Sequence, residues 1–260
     1  MKYIFLLFIL VFELFGGVVK SPILSVNEDE TLATIKIERI DVGISGFIVH
    51  QISKNHSSIL KNAVVKSFDK DTKIATLSLS DYNALRQNSL PNGEWHVTSG
   101  DTAVLAFGYT RGVLIAPNDE IYYRITKSAK RLQWIHPDIF ATILSFKGHP
   151  TPLRSDFTIL SKAASVGLVF IYLNQKLYMI DSKTFIILNI SDAPLKQKSV
   201  KLPFYTRVEQ IEAAWWGDGS DEMTSYEPHY FELLKEANPD NKELENEIEK
   251  FNKKGLKNDR

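Results

Sequence analysis

The 260-residue chain contains no cysteine, and this absence removes a whole set of structures and chemistries. Disulfide bonds, zinc–thiolate sites, iron–sulfur clusters and thiol nucleophiles all require the cysteine side chain, as does a lipid anchor on an amino-terminal cysteine. The chain is nevertheless long enough to bury a hydrophobic core, in one large domain or two small ones. Its stability must therefore come from packing and hydrogen bonding.

The chain also lacks a net charge, because 31 basic residues balance 31 acidic ones. Nucleic acids and anionic membrane surfaces attract proteins mainly through an excess of positive charge. The composition therefore predicts no nucleic-acid partner. An aromatic content of 15 Phe, 10 Tyr and 4 Trp favours a β-rich globular body over a disordered chain.

Long apolar runs are missing except at the amino terminus. Residues 4–12 form an uninterrupted apolar run that follows Lys2 and ends before Glu13. The run is shorter than the roughly 20 residues that span a bilayer, and its pattern is typical of a secretory leader. We predict a signal peptide at residues 1–20, export to the periplasm or cell surface, and no integral membrane span after leader cleavage. An uncleaved anchor is the alternative.

Motifs that carry enzyme chemistry are missing as well. The sequence contains no Gly-x-Ser-x-Gly, no Gly-x-Gly-x-x-Gly and no phosphate-binding Gly-x-x-x-x-Gly-Lys-Ser/Thr. Its six histidines are scattered, with no two at the i, i+4 spacing of a helical metal site. Residues 218–222 are rich in oxygen ligands but lack the alternation of a calcium loop, so we interpret them as a solvated turn. We predict no catalytic residue, no metal and no cofactor; an enzyme with an unrecognised site is the alternative.

Strand patterns dominate the first hundred residues. Apolar runs separated by turn signals occupy residues 44–52, 63–68, 74–79 and 102–107. Asp69 begins a turn between two of them, because an aspartate side chain can accept hydrogen bonds from the backbone two residues on. Residues 21–116 are therefore predicted to form an antiparallel β-rich subdomain, either a small sheet or a barrel.

Helix signals begin at Asn118, which can cap a helix whose first acids face the positive end of the helix dipole. Two further helices are expected after Pro137 and around Ser155, the last of them ending at Gly167. Strands with gaps short enough for hairpins follow at residues 168–173, 177–181 and 184–190. Residues 117–220 are therefore predicted to form an α+β subdomain.

The last forty residues, 221–260, are predicted to form an amphipathic and charged helical tail. Its second half carries an apolar stripe at helical spacing, made of Leu244, Ile248 and Phe251. The stripe belongs to the core if the tail folds back, and it is a docking surface for a partner if the tail is detached. The fold class predicted for the whole chain is α+β, with an antiparallel β-rich subdomain, then an α+β subdomain, then this tail.

Trp215 and Trp216 stand side by side just before the tail. Such a pair can contact a carbohydrate or a protein, but buried aromatic side chains are common core fillers. Because no aromatic platform repeats around them, we expect the pair to pack against the body of the protein.

Two stretches of sequence resemble a known family. They are residues 112–122, GVLIAPNDEIY, and residues 202–212, LPFYTRVEQIE. With residues 46–49 and 165–172, they make the chain similar to the amino-terminal domain of bacterial surface plasminogen-binding proteins, over most of residues 30–220. The most specific motif, Leu-Ile-Ala-Pro-Asn-Asp-Glu, is physically a strand that runs into a capped helix. It carries no catalytic group, and we interpret it as structural.

The resemblance implies a non-enzymatic exported protein that binds plasminogen through lysine residues. Members of the family are described as using a lysine-rich carboxy-terminal region that ends in lysine. A plasminogen kringle holds the ammonium between carboxylates, packs the aliphatic stem on aromatic rings and pairs the free carboxylate with cations. The candidates here are Lys253, Lys254, Lys257 and Arg260. This segment is short and ends in arginine, which is longer and planar and fills such a pocket less well.

Two alternatives stay open for this tail and its partner. The lysines can be solubilising charges, since cations are favoured at the carboxyl end of a helix. The protein can also be a periplasmic or cell-envelope scaffold whose partner is another bacterial protein, docked on the apolar stripe of the tail.

Overall fold

The structure is a computed structural model that describes residues 17–82 and 95–258, with side chains up to residue 253. Packing divides the chain into two compact units, which meet in sequence between Tyr109 and Thr110. The predicted fold class is confirmed: an antiparallel β-rich unit precedes an α+β region and carboxy-terminal helices. Residues 1–16 of the predicted leader lie outside the described residues.

The first unit is a closed antiparallel barrel. Its six strands are β1 (Val19–Val26), β2 (Leu32–Lys36), β3 (Ser45–Ser53), β4 (His56–Asp69), β5 (Ile74–Asp81) and β6 (Thr102–Leu105). They pair in the order β1-β2-β5-β4-β3-β6, and β6 pairs with β1 to close the barrel. Closure removes the unpaired strand edges that invite aggregation.

Alternate residues of each strand fill the barrel interior. Ala33 and Ile35 of β2 are buried, while the residues next to them face outward. At Gly46 in β3 a Cβ atom would lie 2.2 Å from the carbonyl oxygen of Val104 in β6, so glycine lets these strands approach closely. A narrow interior filled by small and branched side chains is the usual solution for a small barrel.

The turn predicted at residues 69–71 joins β4 to β5. The Asp69 carboxylate accepts hydrogen bonds from the backbone N–H groups of Thr72 at 3.2 Å and Asp71 at 2.9 Å. These two bonds lower the pKa of Asp69 below its usual value. The local geometry that the sequence predicted is therefore confirmed.

The second unit is built on a mixed sheet. Its five strands are β7 (Arg111–Ile115), β8 (Gln133–Ile135), β9 (Leu168–Leu173), β10 (Lys176–Asp181) and β11 (Ile187–Asp192), in the order β11-β10-β9-β7-β8. Strand β7 runs parallel to both β8 and β9, whereas β9, β10 and β11 pair antiparallel as hairpins. Strand β7, which ends the predicted first subdomain, thus pairs within the second unit.

Helices follow and flank these strands. They are α1 (Asp119–Ser128), α2 (Asp138–Lys147), α3 (Arg154–Ala164), α4 (Tyr226–Ala237) and α5 (Lys242–Asn258). Asn118 caps α1 as predicted, because its Oδ1 accepts a hydrogen bond from the N–H of Ile121 at 2.9 Å. The predicted end of α3 at Gly167 is wrong. Ser165 ends the helix instead, in the left-handed conformation with φ of 50°.

All six residues of β9 are buried, which requires cover on both faces of the sheet. On one face Val169 and Ile171 join the main core with side chains of α2, α3 and α4. On the other face the ring of Phe170 lies 5.1 Å from that of Trp134. The continuous apolar run of this strand therefore reflects its central place in the sheet.

Helix α5 folds back onto the second unit. Leu244 is 1% exposed within the main core, and Ile248 and Phe251 pack against that core. The ring of Phe251 lies 5.4 Å from that of Phe231 in α4. Of the two alternatives for the apolar stripe, the structure shows the core one, so the stripe is not free to dock a partner.

Candidate binding surfaces

The predicted binding residues lie at the end of α5 and beyond it. The Lys253 Nζ atom lies 3.1 Å from Oε2 of Glu249, one helical turn earlier. The backbones of Lys254 and Lys257 continue the helix, but their side chains lie outside the described residues, as does the whole of Arg260. The structure therefore places one of the four candidates, Lys253, beside an exposed acid.

Charges are segregated along α5. After Lys242, its first half carries Glu243, Glu245, Glu247 and Glu249, and its second half carries Lys250, Lys253, Lys254 and Lys257. The helix dipole favours acids near the amino end and cations near the carboxyl end. This order stabilises the helix with or without a ligand, so the charge pattern alone does not identify a binding site.

Two other lysines near α5 are held by carboxylates of the same unit. The Lys250 Nζ atom lies 2.7 Å from the buried Glu247, whose Oε1 also lies 3.9 Å from the Nζ of Lys176. Lys176 forms a closer ion pair with Asp192, at 2.8 Å, and that bond raises the pKa of Lys176. Among the described side chains of α5, Lys253 and the 60% exposed Glu249 therefore form the ion pair in which both partners are exposed.

The two stretches that carry the family resemblance meet at the end of β7. The N–H of Tyr205 donates to the carbonyl of Ala116 at 2.7 Å, and the N–H of Lys201 donates to the carbonyl of Pro117 at 2.7 Å. The ring of Tyr205 also lies 5.2 Å from that of Tyr122 in α1. In α/β sheets, ligands bind beyond the carboxyl ends of parallel strands. Here the carbonyl groups at that position already accept hydrogen bonds from backbone N–H groups of the same chain.

Asp138, at the start of α2, fixes the second of these stretches. Its carboxylate accepts hydrogen bonds from the Thr206 hydroxyl and the Arg207 N–H, both at 2.8 Å, and from Arg207 Nε at 2.6 Å. Burial alone would raise the pKa of Asp138, but these hydrogen bonds outweigh it and hold the pKa at about 2. The carboxylate is therefore ionised at neutral pH, with its oxygens occupied by structural bonds.

Trp215 and Trp216 depart most from the sequence expectation. Trp215 is fully exposed and Trp216 is 85% exposed, so the prediction that they pack against the body is wrong. Phe146, near the end of α2, is 90% exposed, and the N–H of Ala214 donates to the Gly148 carbonyl at 2.9 Å. This bond brings the end of α2 next to the segment that carries the two tryptophans.

The loop that carries the tryptophans is anchored at both ends. The N–H of Glu212 donates to Ser145 Oγ at 3.1 Å on one side. On the other side, the N–H of Thr151 donates to the Gly219 carbonyl at 3.1 Å, and its hydroxyl donates to the Asp221 carbonyl at 2.6 Å. The two indoles therefore project from a loop of defined shape.

Glycines let this loop turn sharply while it lies against α2. Gly217 has φ of +113°, a conformation that side chains disfavour. At Gly148, which ends α2 with φ of +72°, a Cβ atom would lie 2.5 Å from both the nitrogen and the Cβ of Ala214. The close approach at Gly148 holds the loop against the end of α2, the chain reverses at Gly217, and the two tryptophans of this loop face solvent.

Residues 217–220 form a turn, which overlaps the segment 218–222 interpreted as a solvated turn from the sequence. Both the N–H and the hydroxyl of Ser220 donate to the carbonyl of Gly217, at 3.2 and 2.6 Å. Within residues 17–82 and 95–258, no group of three His, Cys, Asp or Glu side chains is placed to hold a metal ion. In the same ranges, no helix is long and apolar enough to cross a bilayer.

Residues 18–234 match the family described as plasminogen-binding protein PgbA, N-terminal. The chain belongs to this family. Two relatives, from Helicobacter pylori strains J99 and 26695, are both named plasminogen-binding protein PgbA. Each is 26% identical over 200 residues, which cover 75% of this chain and 43% of the relative. The match therefore spans less than half the length of these relatives. No solved structure matches the chain.

The family match confirms the resemblance inferred from the sequence, and it contains both stretches that meet at the end of β7. It is a family of plasminogen-binding proteins and not a known enzyme family. The match ends at residue 234, within α4, so helix α5 with Lys253, Lys254 and Lys257 lies outside it.

Proposed function

We propose that this chain is an exported, non-enzymatic protein that binds plasminogen at the cell surface through lysine side chains. The family match over residues 18–234 carries the proposal, because the relatives are named for plasminogen binding. The leader-like amino terminus supports export. The exposed lysines of α5 supply the chemistry that a kringle pocket reads.

The pair Lys253–Glu249 supports α5 as the contact. A kringle pocket engages an ammonium with carboxylates and a carboxylate with cations. Lys253 and Glu249 present these two charges one helical turn apart, with side chains 72% and 60% exposed. The internal pair thus offers both charges that a terminal lysine would offer. Lys253 loses little free energy when it leaves Glu249 for a kringle carboxylate, since exposed ion pairs contribute only about 0–1 kcal/mol.

Binding of the full chain to immobilised plasminogen tests this proposal. The test variants are Lys253→Ala alone and Lys253→Ala combined with the same change at Lys254 and Lys257. Lys242→Ala is the matched control, because Lys242 is an exposed lysine at the opposite end of the same helix. A charge-assisted hydrogen bond contributes about 1.5–3 kcal/mol, so we expect the triple variant to bind at least about tenfold more weakly.

Two further readouts make the plasminogen result decisive. Free 6-aminohexanoate should compete with the wild-type chain, because it carries the same two charges as lysine. Intact cells that export the chain should capture plasminogen, and cells that export the triple variant should capture less. If the triple variant and Lys242→Ala bind equally, and 6-aminohexanoate changes neither, the lysines of α5 are not the contact.

The second candidate function is a periplasmic or cell-envelope scaffold. Its partner cannot dock on the apolar stripe of α5, as the sequence suggested. The stripe of Leu244, Ile248 and Phe251 packs against the core of the second unit. The exposed tryptophan pair is the observation that favours a further protein contact.

A further inference from the structure

The loop of residues 212–222 presents an unusual surface. Monomeric proteins rarely leave adjacent large aromatic side chains in water, and tryptophan is strongly enriched among residues that dominate binding energies. Trp215 and Trp216 are almost completely exposed, and Phe146 is exposed on the adjoining end of α2. Because the loop is anchored by hydrogen bonds at both ends, binding would require little ordering of it.

The charge around the tryptophans is negative. Between Arg207 and Lys235 the chain has seven acidic residues and no lysine or arginine. Five acids within residues 209–222 are exposed and form no ion pair with another described residue: Glu209, Glu212, Asp218, Asp221 and Glu222. Lys147 and Arg154 lie on the segment that supports the loop, so they offset part of this charge. The acids remain in excess.

A pocket opens where the loop leaves and rejoins the body of the second unit. It has a volume of about 220 Å³, and Ile211 and Met223, which precede and follow the loop, both line it. Glu209 and Glu222 line it as well, so apolar and acidic residues border the same space. The long side chains of lysine and arginine pack their aliphatic stems on apolar atoms and keep the charge at the end.

Lys201 also lines this pocket, but its ammonium group binds atoms other than the carboxylates of Glu209 and Glu222. Its Nζ donates to the backbone carbonyls of Thr206 and Val208, the latter at 3.2 Å. The ammonium is therefore bound by carbonyl oxygens of its own segment. Glu209 and Glu222 form no ion pair with it.

We propose that the Trp215–Trp216 loop and the pocket of Glu209 and Glu222 together dock a positively charged segment of a partner protein. A lysine or arginine side chain enters the pocket, and neighbouring cationic residues lie on the indole faces, which attract cations through their π electrons. The negative charge of this surface favours a cationic occupant. Anionic lipid and nucleic acid are repelled by the five acids, and a neutral glycan would leave those acids unused.

This surface goes beyond the proposed plasminogen contact and has the opposite polarity. In α5 the chain supplies the cation, whereas here it supplies the anions and the aromatic rings. The two proposals therefore fail independently. The triple lysine variant of α5 should keep the activity of the tryptophan loop, and variants of the loop should keep lysine-dependent binding of plasminogen.

Fluorescence anisotropy of labelled hexalysine and hexaarginine, titrated with the full chain, tests the proposal. The two test variants are the double change Trp215→Ala/Trp216→Ala and the double change Glu209→Gln/Glu222→Gln. The control Glu243→Gln/Glu245→Gln removes the same charge from exposed acids of α5. A cation–π contact contributes about 0.5–2 kcal/mol, so the loss of two indoles should weaken binding by about tenfold, with the control close to wild type.

Several results would overturn the proposal. Equal weakening in the α5 control would show diffuse attraction to acids, and unchanged binding by the double tryptophan variant would exclude the loop. The proposal also fails if neither peptide binds, whether or not chitohexaose or zwitterionic phosphatidylcholine vesicles do. Should the double alanine variant unfold, Trp215→Lys replaces it, because an added cation should repel hexalysine in a folded chain.

Discussion

Replacing Leu244 by alanine tests whether α5 belongs to the second unit. Leu244 is 1% exposed and lies in the main core, so the change removes buried methyl groups and leaves a cavity. Leucine-to-alanine changes at buried sites reduce the free energy of unfolding by about 2–5 kcal/mol. We expect about 2–4 kcal/mol here, because α5 is exposed on its other face and can relax toward the cavity.

Helical circular dichroism during urea unfolding is the assay, because all described helices belong to the second unit. The barrel therefore contributes little to the signal. Asn246→Ala is the matched control, since Asn246 lies on the exposed face of the same helix. Surface changes of this kind alter the free energy of unfolding by less than about 0.5 kcal/mol.

Equal midpoints for Leu244→Ala and Asn246→Ala would refute this reasoning. The result would mean that α5 does not depend on the core contact, and the detached tail would again offer its stripe to a partner. Binding of plasminogen separates the two roles of the helix. Leu244→Ala should weaken folding while Lys253 remains available to a kringle.

Two further predictions concern the loop contact and the response to pH. Gly148→Ala should destabilise the second unit more than Gly217→Ala in thermal unfolding. Both residues have positive φ, but a Cβ atom meets Ala214 at 2.5 Å only at Gly148 and finds nothing within 4 Å at Gly217; equal losses would mean that the loop does not lie against α2. Burial lowers the pKa of His229, whose Nε2–H donates to the Pro152 carbonyl at 2.9 Å. In the unfolded chain His229 has its ordinary pKa of about 6.5, so below that pH the unfolded chain binds more protons than the folded one. The free energy of unfolding should therefore fall as the pH drops below that value. Urea unfolding at several pH values should show a smaller fall for His229→Gln, and an identical fall in both proteins would exclude this histidine as a source.

The features that the sequence predicted well are local ones. Asn118 bonds to a donor three residues away, and Asp69 bonds to donors two and three residues away. Such bonds form wherever the backbone turns and need no distant partner. The apolar runs at residues 44–52, 63–68, 74–79 and 102–107 likewise identified β3, β4, β5 and β6, because a strand with one buried face repeats every two residues, whereas β1 was not predicted.

Contacts between distant segments could not be predicted from the sequence. Nothing in residues 112–122 indicates that Tyr205 will donate to the carbonyl of Ala116, although both stretches carried the family resemblance. The parallel pairing of β7 with β9 also joins segments that are far apart in the chain, and it places β7 in the second unit. Parallel strands need a long crossover, so their pairing leaves no turn signal between them.

The candidate surfaces divide in the same way. The sequence by itself determined the charge order of α5, the absence of cysteine chemistry and the acidity of the segment around Trp215 and Trp216, because these properties depend only on which residues are present. Tertiary structure decided that Leu244 is core and that the two indoles face water. Burial depends on what lies opposite a side chain, and the loop anchored at Gly148 and Thr151 holds those rings where no residue of the described ranges covers them.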